Sequence, residues 1–173
     1  TAVKKAGLRM GFYYSLYEWY NPLYKTDLNQ YVDEHMLPQM KDLVNSYQPD
    51  IFWPDGQWEH SDTVWKSREF LTWLYNESPV KDKVVVNDRW GKGNGHGSFS
   101  TTEYGSGNWS PDKPWEECRG IGESFGYNRN ENLESYLSSE QLVHSLVDIV
   151  SRGGNLLLNI GPTSDGRIPV IMQ

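Results

Sequence analysis

The chain has 173 residues, enough for one domain with a hydrophobic core, and it carries a net charge of −7. The negative charge argues against a nucleic-acid partner, because no basic surface is available to displace counterions from phosphates. No apolar run is long enough to cross a membrane, and a single cysteine, Cys118, excludes an intrachain disulfide.

Strand and helix patterns alternate along the first half of the chain. Residues 8–14 form a short apolar and aromatic run typical of a buried strand. Apolar side chains at three- and four-residue steps predict a helix over residues 29–47, with a kink at Pro38. Residues 51–53 predict the next strand, and Ser61 is a candidate cap for a helix with an apolar stripe from Val64 to Leu74.

The second half begins with a β-branched strand at residues 84–86. Residues 91–132 are rich in Gly, Ser, Asn and aromatics, and we interpret them as a long loop region that builds a site. An amphipathic helix is predicted from Ser138 to Val150, and Gly153 ends it before a buried strand over residues 155–160.

This alternation predicts an α/β fold with parallel strands and crossover helices. Four strands in 173 residues correspond to about half of an eight-stranded (β/α)8 TIM-like barrel. The abrupt first and last residues favour a segment of a longer protein. We therefore expect residues 1–173 to be one partial catalytic barrel domain, roughly the C-terminal half of the barrel.

Catalytic groups of such barrels lie at the C-terminal ends of the strands. That rule selects the residues at the ends of the predicted strands, which are Tyr13, Tyr14, Asp55, Asn87, Asp88, Arg89 and Asn159. Asp55 lies in a stretch with tryptophans on both sides, and a carboxylate between indole rings is typical of a sugar-cleaving site. The alternatives are a Pro-Asp-Gly turn at Asp55 and core positions for Tyr13 and Tyr14. Residues 87–89 could also form an ordinary turn with an ion pair, and Asn159 could cap a backbone group.

Glycoside cleavage needs a second carboxyl group to protonate the leaving oxygen. The loop region offers Glu103 and the pair Glu116 and Glu117. The residues alone provide no distance from any of them to Asp55, so the choice stays open at this point. The four histidines are scattered without zinc spacing, and we predict neither a metal site nor a cofactor.

Several motifs in order along the chain resemble the α-L-fucosidases of glycoside hydrolase family 29. The matching segments are Trp53-Pro54-Asp55-Gly56-Gln57-Trp58, Asn76-Glu77-Ser78-Pro79-Val80-Lys81, Val84-Val85-Val86-Asn87-Asp88-Arg89-Trp90-Gly91, Trp115-Glu116, Ser124-Phe125-Gly126-Tyr127 and Gly153-Gly154-Asn155-Leu156-Leu157-Leu158-Asn159-Ile160-Gly161-Pro162.

The resemblance implies a retaining exo-glycosidase that releases terminal α-L-fucosyl residues. It implies that Asp55 is the nucleophile and forms a covalent fucosyl-enzyme intermediate. Arg89 is expected to keep this carboxylate charged and to bind substrate, and Tyr13 and Trp53 match positions that line the fucose pocket.

The resemblance leaves two candidates for the acid/base. Glu103 lies in a Thr-Thr-Glu-Tyr sequence that matches the motif of bacterial members, and Glu116 matches the rival position in animal-type members. We favour Glu103. The family's pocket histidines, its N-terminal barrel strands and its C-terminal β-sandwich have no match in the chain, so we expect about half of the catalytic domain.

The expected partners are fucosylated glycans or glycoproteins, with no nucleic acid, no membrane and a possible homo-oligomer. The expected location is lysosomal or extracellular, or periplasmic in a bacterium. Two other functions stay open: a catalytically inactive fucose-binding relative, and another retaining glycosidase such as a galactosidase.

Overall fold

The computed structural model describes residues 1–105 and 112–173, so six residues of the expected loop region, 106–111, lie outside the described residues. The chain divides into two compact units, Thr1–Ser98 and Phe99–Gln173. Each unit contains a three-stranded parallel sheet. The parallel α/β prediction is therefore confirmed, and closure into an eight-stranded barrel stays a prediction.

The sheet of the first unit has the strand order β1-β2-β3. Its strands are β1 (Gly11–Ser15), β2 (Ile51–Asp55) and β3 (Val85–Val86). Its helical segments are α1 (Ala2–Lys5), α2 (Pro22–Thr26), α3 (Leu28–Gln30), a π-helical turn (Tyr31–Met36), α4 (Leu37–Tyr47), a 3-10 turn (Gln57–Glu59) and α5 (Ser67–Asn76).

The predicted helix over residues 29–47 is helical throughout but irregular before its proline. The π-helical turn Tyr31–Met36 joins α3 to α4, and Pro38 is the second residue of α4. Proline has no N–H to bond the carbonyl four residues earlier, and a wider turn is one way for the backbone to pass such a point. The irregular turn thus lies just before the proline, and the kink at Pro38 stays a prediction.

The predicted start of the next helix was wrong. α5 begins at Ser67 instead of close to Ser61, because Lys66 adopts the left-handed conformation at φ 50° and interrupts a regular helix there. Trp65 is nevertheless fully buried, so its apolar signal came from the core and not from a helical stripe.

Aromatic side chains make up a large part of the core of the first unit. Phe52 on β2 packs against Phe70 and Trp90, with ring centroids 5.3 and 6.4 Å away. Phe52 and Phe70 are completely buried. Truncation of a core phenylalanine costs about 3–5 kcal/mol in the free energy of unfolding, so this packing stabilises the position of β2 in the sheet.

The sheet of the second unit has the strand order β4-β5-β6. Its strands are β4 (Ser100–Glu103), β5 (Trp115–Gly120) and β6 (Gly154–Asn159). Its helical segments are a 3-10 turn (Leu133–Ser135), α6 (Ser139–Ser151) and a 3-10 turn (Val170–Met172).

Strands β4 and β5 correct the prediction that residues 91–132 are irregular. β4 is a short polar strand, and β5 mixes apolar with charged residues, so neither shows a clear hydrophobic alternation. Strand formation here depends on pairing with partners distant in sequence, which local propensity does not report. The predicted long loop therefore contains two strands.

The end of the second unit follows its prediction closely. Ser138 caps α6 and forms a reciprocal capping box with Gln141. Gly153 adopts φ 75° after the helix, and a Cβ on Gly154 would lie 2.4 Å from the Trp115 ring. Glycines at both positions let the chain leave α6 and enter β6 against that ring. In the described part of the chain, no helix is long and apolar enough to span a membrane.

Candidate active site

Asp55 is the last residue of β2, and two side chains hold its carboxylate. Arg89 Nη1 forms an ion pair with Asp55 Oδ1 at 2.8 Å. The Tyr13 hydroxyl donates a hydrogen bond to Asp55 Oδ2, also at 2.8 Å. The side chains of Asp55 and Arg89 are only 16% and 10% exposed. Each carboxylate oxygen therefore has a fixed, charge-assisted partner in a partly dry setting.

The strand register explains why Tyr13 and Trp53 lie at the carboxylate. Tyr13 of β1 pairs with Trp53 of β2, and alternation along β2 places Trp53 and Asp55 on one face. The Tyr13 and Trp53 rings stack at 5.8 Å, and the Arg89 guanidinium lies 4.6 Å from the Trp53 ring. Trp53 is therefore a flat aromatic base beneath the polar groups. Tyr14 points to the opposite face, where it stacks on Phe52 in the core.

Asn87 anchors the segment that carries Arg89. Its Nδ2 donates to the Pro54 carbonyl at 2.9 Å, and its Oδ1 accepts the Arg89 backbone N–H at 3.2 Å. Its own carbonyl accepts the Trp90 indole N–H at 2.8 Å. Asn87 is completely buried, so it ties the end of β3 to the end of β2. The strand-end rule pointed to this position, but the bridging role was not predicted.

The phenol of Tyr13 stays a hydrogen-bond donor over a wide pH range. Partial burial of the group raises its pKa, and the hydrogen bond and charge of Asp55 raise it further, while Arg89 opposes them. The outer part of the ring is open, since 62% of the residue is exposed. Tyr13 thus contacts Asp55 with its hydroxyl and offers its ring to a ligand.

The second unit places Glu103 and Glu116 on one face of its sheet. Glu103 pairs with Cys118, and Thr101 pairs with Glu116. Because Thr101 and Glu103 are two residues apart on β4, as are Glu116 and Cys118 on β5, the side chains of Glu103 and Glu116 point to the same face. Glu103 is the last residue of β4, whereas Glu116 is the second residue of β5. Because sites of parallel sheets lie at the C-terminal strand ends, this placement favours Glu103 over Glu116.

Glu117 points to the other face of β5 and is only 2% exposed. Thr102 Oγ1 donates a hydrogen bond to its Oε2 at 3.3 Å. Burial raises the pKa of the Glu117 carboxyl, and Thr102, Arg119 and Arg152 partly offset this effect. Glu117 is therefore buried on that face of the sheet. Its burial follows from strand alternation, a signal that was lost when β5 was interpreted as loop.

Asp55 and Glu103 belong to different units, so their expected separation of about 5–5.5 Å stays a prediction. Asn159 is the last residue of β6, and its Oδ1 accepts the backbone N–H groups of Gly126 and Gly161. This bonding supports its alternative role as a cap. Across residues 1–105 and 112–173, no group of three or more His, Cys, Asp or Glu is arranged to hold a metal.

Several known proteins similar to this chain are named as α-L-fucosidases. A sequence profile described as Alpha-L-fucosidase matches residues 1–173. The tissue α-L-fucosidase of Homo sapiens is 47% identical over 183 aligned residues, which cover 100% of this chain and 39% of that protein. The α-L-fucosidase of Dictyostelium discoideum is 44% identical, over 97% of this chain and 39% of its own length.

Solved structures agree with the sequence matches. The α-fucosidase of Thermotoga maritima in complex with a mechanism-based inhibitor has a TM-score of 0.78 and 43% identity, over 99% of this chain and 40% of that one. The α-L-fucosidase isoenzyme 1 of Paenibacillus thiaminolyticus has a TM-score of 0.82 and 28% identity, over 97% and 47%. The chain thus spans about two fifths of the length of the curated relatives that it matches. On these matches, the chain belongs to the α-L-fucosidase family.

Proposed function

We propose that this chain is the catalytic portion of an α-L-fucosidase that hydrolyses terminal α-L-fucosyl residues of glycans and glycoproteins. The observation that carries the proposal is the Asp55 carboxylate, held at a strand end by Arg89 and Tyr13 above the Trp53 ring. The chain also belongs to a family whose named relatives are fucosidases, and this membership supports fucose as the sugar.

In the proposed mechanism, Asp55 attacks the anomeric carbon of the fucosyl residue and forms a covalent ester. Glu103 donates a proton to the glycosidic oxygen as that bond breaks. Glu103 then takes a proton from water, whose oxygen attacks the same carbon and releases Asp55. The two displacements retain the anomeric configuration. The binding of a mechanism-based inhibitor by the related T. maritima enzyme supports a similar chemistry here.

The residues around Asp55 support recognition of a 6-deoxy sugar. Fucose carries a methyl group where other hexoses carry a hydroxymethyl group, and aromatic faces accommodate such apolar surface. The Tyr13 ring is open beside the carboxylate, and the buried Trp53 ring stacks against it. The ion pair between Arg89 Nη1 and Asp55 keeps a cationic group beside the carboxylate.

We also propose a lysosomal or extracellular location, because relatives include enzymes named tissue and plasma α-L-fucosidases. The alternative of an inactive fucose-binding relative is disfavoured by the retained ion pair at Asp55. A galactosidase is disfavoured by the fucosidase names shared by the relatives.

The nucleophile is tested by incubating the intact protein with 2-deoxy-2-fluoro-α-L-fucosyl fluoride and locating the adduct by peptide mass spectrometry. We expect an adduct on Asp55, and Asp55→Ala should abolish both labelling and turnover. An adduct on any other residue would refute the assignment. If the wild-type protein neither hydrolyses fucosides nor forms an adduct, the result would favour the inactive or galactoside-specific alternatives.

The acid/base is tested with the matched pair Glu103→Ala and Glu116→Ala. Loss of general acid catalysis costs about 10²–10⁴-fold, and this cost is largest for poor leaving groups. We expect Glu103→Ala to show that loss with alkyl fucosides, and azide to restore activity with activated aryl fucosides. If Glu116→Ala shows the azide rescue instead, Glu116 is the acid/base, and position at the C-terminal end of a strand is the wrong criterion for choosing between the two glutamates.

A further inference from the structure

A second group of aromatic side chains lies on the segments that follow β1 and β2. We call Tyr17, Trp19, Tyr24 and Trp58 the aromatic rim. The Tyr17 ring is its centre, with ring centroids 5.5 Å from Trp19, 5.0 Å from Tyr24 and 6.3 Å from Trp58. Trp19 and Trp58 are 61% and 52% exposed, so two large indole surfaces face solvent.

The two segments that carry the rim are joined directly at Asp55. The Leu16 backbone N–H donates to the Asp55 carbonyl at 2.8 Å and joins the two segments. Within the first segment, Ser15 Oγ donates to the Tyr17 carbonyl at 2.6 Å. Trp58 follows Asp55 by three residues, which limits the distance between their Cα atoms to about 11 Å. The rim therefore borders the site at the same C-terminal strand ends.

Gly56 keeps the two segments in contact. It has φ 75°, and a Cβ at this position would lie 2.7 Å from Tyr17 Cβ and 2.9 Å from Tyr17 N. Both the conformation and the lack of space require glycine. The residue after the proposed nucleophile thus lies directly against the Cβ and backbone N of Tyr17, the central residue of the rim.

A carboxylate at the rim supplies a polar group. Glu59 Oε2 accepts a hydrogen bond from the Tyr24 hydroxyl at 2.6 Å, and it lies 3.9 Å from His60 Nε2. The Glu59 side chain is 39% exposed, so it is accessible to sugar hydroxyls. Flat apolar faces beside a fixed acceptor match the two sides of a pyranose, one carrying C–H groups and the other polar edges.

Folding stability does not account for the exposed members of the rim. A tryptophan that stays 61% exposed buries little of its surface, and its contribution to the core is correspondingly small. Exposed aromatic residues close to a site are more often used in recognition.

We propose that the aromatic rim binds the sugar ring to which the fucosyl residue is attached, by stacking on Trp19 and Trp58. The inference rests on the proposed function and extends it, because it names the substrate class as fucosylated oligosaccharides bound through two sugars. Fucose occupies the site at Asp55, and the leaving sugar lies on the rim.

The test compares two substrates of the intact protein that differ only in the leaving group. One is a trisaccharide with a terminal α-L-fucosyl residue, and the other is α-L-fucosyl fluoride, whose leaving group has no ring. We expect Trp19→Ala to lower kcat/KM for the trisaccharide about tenfold, corresponding to about 1.4 kcal/mol. For the fluoride, kcat/KM should stay within about twofold, which also shows that the variant is folded.

Two further variants make the result specific. Trp19→Tyr keeps an aromatic face and should recover most of the trisaccharide activity. Tyr75→Ala removes an exposed aromatic side chain from α5, outside the rim, and should leave kcat/KM for both substrates unchanged.

The inference is overturned if Trp19→Ala leaves kcat/KM for the trisaccharide unchanged, or if it lowers kcat/KM for both substrates equally. It is also overturned if Trp19→Tyr behaves like Trp19→Ala with the trisaccharide. A wild-type protein that cleaves neither substrate would overturn the proposed function itself. If every variant cleaves the fluoride normally, the proposed function stands, and only sugar binding by the aromatic rim is decided by the trisaccharide results.

Discussion

The Tyr13 hydroxyl offers a sharp test of how the Asp55 carboxylate is held. Tyr13→Phe removes the 2.8 Å hydrogen bond to Asp55 Oδ2 and keeps the ring stacked on Trp53. A hydrogen bond to a charged group is worth about 1.5–3 kcal/mol, which corresponds to about 10–150-fold in rate. We therefore expect kcat/KM for an aryl α-L-fucoside to fall by up to that factor, because the carboxylate of the proposed nucleophile loses a contact that orients it for attack.

The neighbouring tyrosine provides the control. Tyr14 lies on the opposite face of β1, and its hydroxyl donates to Gln39 Oε1 at 2.8 Å. Tyr14→Phe is the same chemical change, and it should lower the free energy of unfolding by about 0.5–1.5 kcal/mol while leaving kcat/KM within about twofold. The reasoning is refuted if Tyr13→Phe keeps more than half of the wild-type kcat/KM, or if both variants lose activity equally.

Two further predictions concern stability. Asn87→Ala leaves the buried Pro54 carbonyl and Arg89 N–H without their partner, so the free energy of unfolding in urea should fall by about 2–4 kcal/mol. Asn76→Ala, at the exposed end of α5, should change it by less than about 0.5 kcal/mol, and equal losses would contradict the bridging role. Burial raises the pKa of the Glu117 carboxyl, so the folded protein holds this proton more tightly than the unfolded chain, and stability falls as pH rises above about 4.5. Glu117→Gln should therefore raise the melting temperature at pH 7 more than at pH 4, whereas an equal shift at both pH values would exclude this linkage.

Elements with a complete local signal were predicted well. The capping box at Ser138 and the glycine at position 153 delimit α6 within a residue or two of the expected bounds. The apolar run before Asp55 identified β2 and placed the carboxylate at its end. In these cases the hydrogen bonds or turns that define the element are made by residues close together in the chain.

Elements that depend on distant partners were missed. β4 and β5 have little hydrophobic alternation, and their pairing with each other and with β6 defines them as strands. The buried position of Glu117 follows from the same pairing. Short polar strands gain most of their stability from the neighbouring strand, so their own residues carry a weak signal.

The sequence by itself determined the parallel α/β architecture of the chain, its family and the position of Asp55 at a strand end. The tertiary structure decided which groups meet this carboxylate. Tyr13 and Arg89 are 42 and 34 residues away from Asp55 along the chain, and the strand register together with the Asn87 bridge brings them into contact. It also decided that Tyr13 faces the site while Tyr14 faces the core, because the face of a strand residue is set by what the sheet packs against. Local periodicity reports that side chains alternate, and only the packed sheet determines which face is buried.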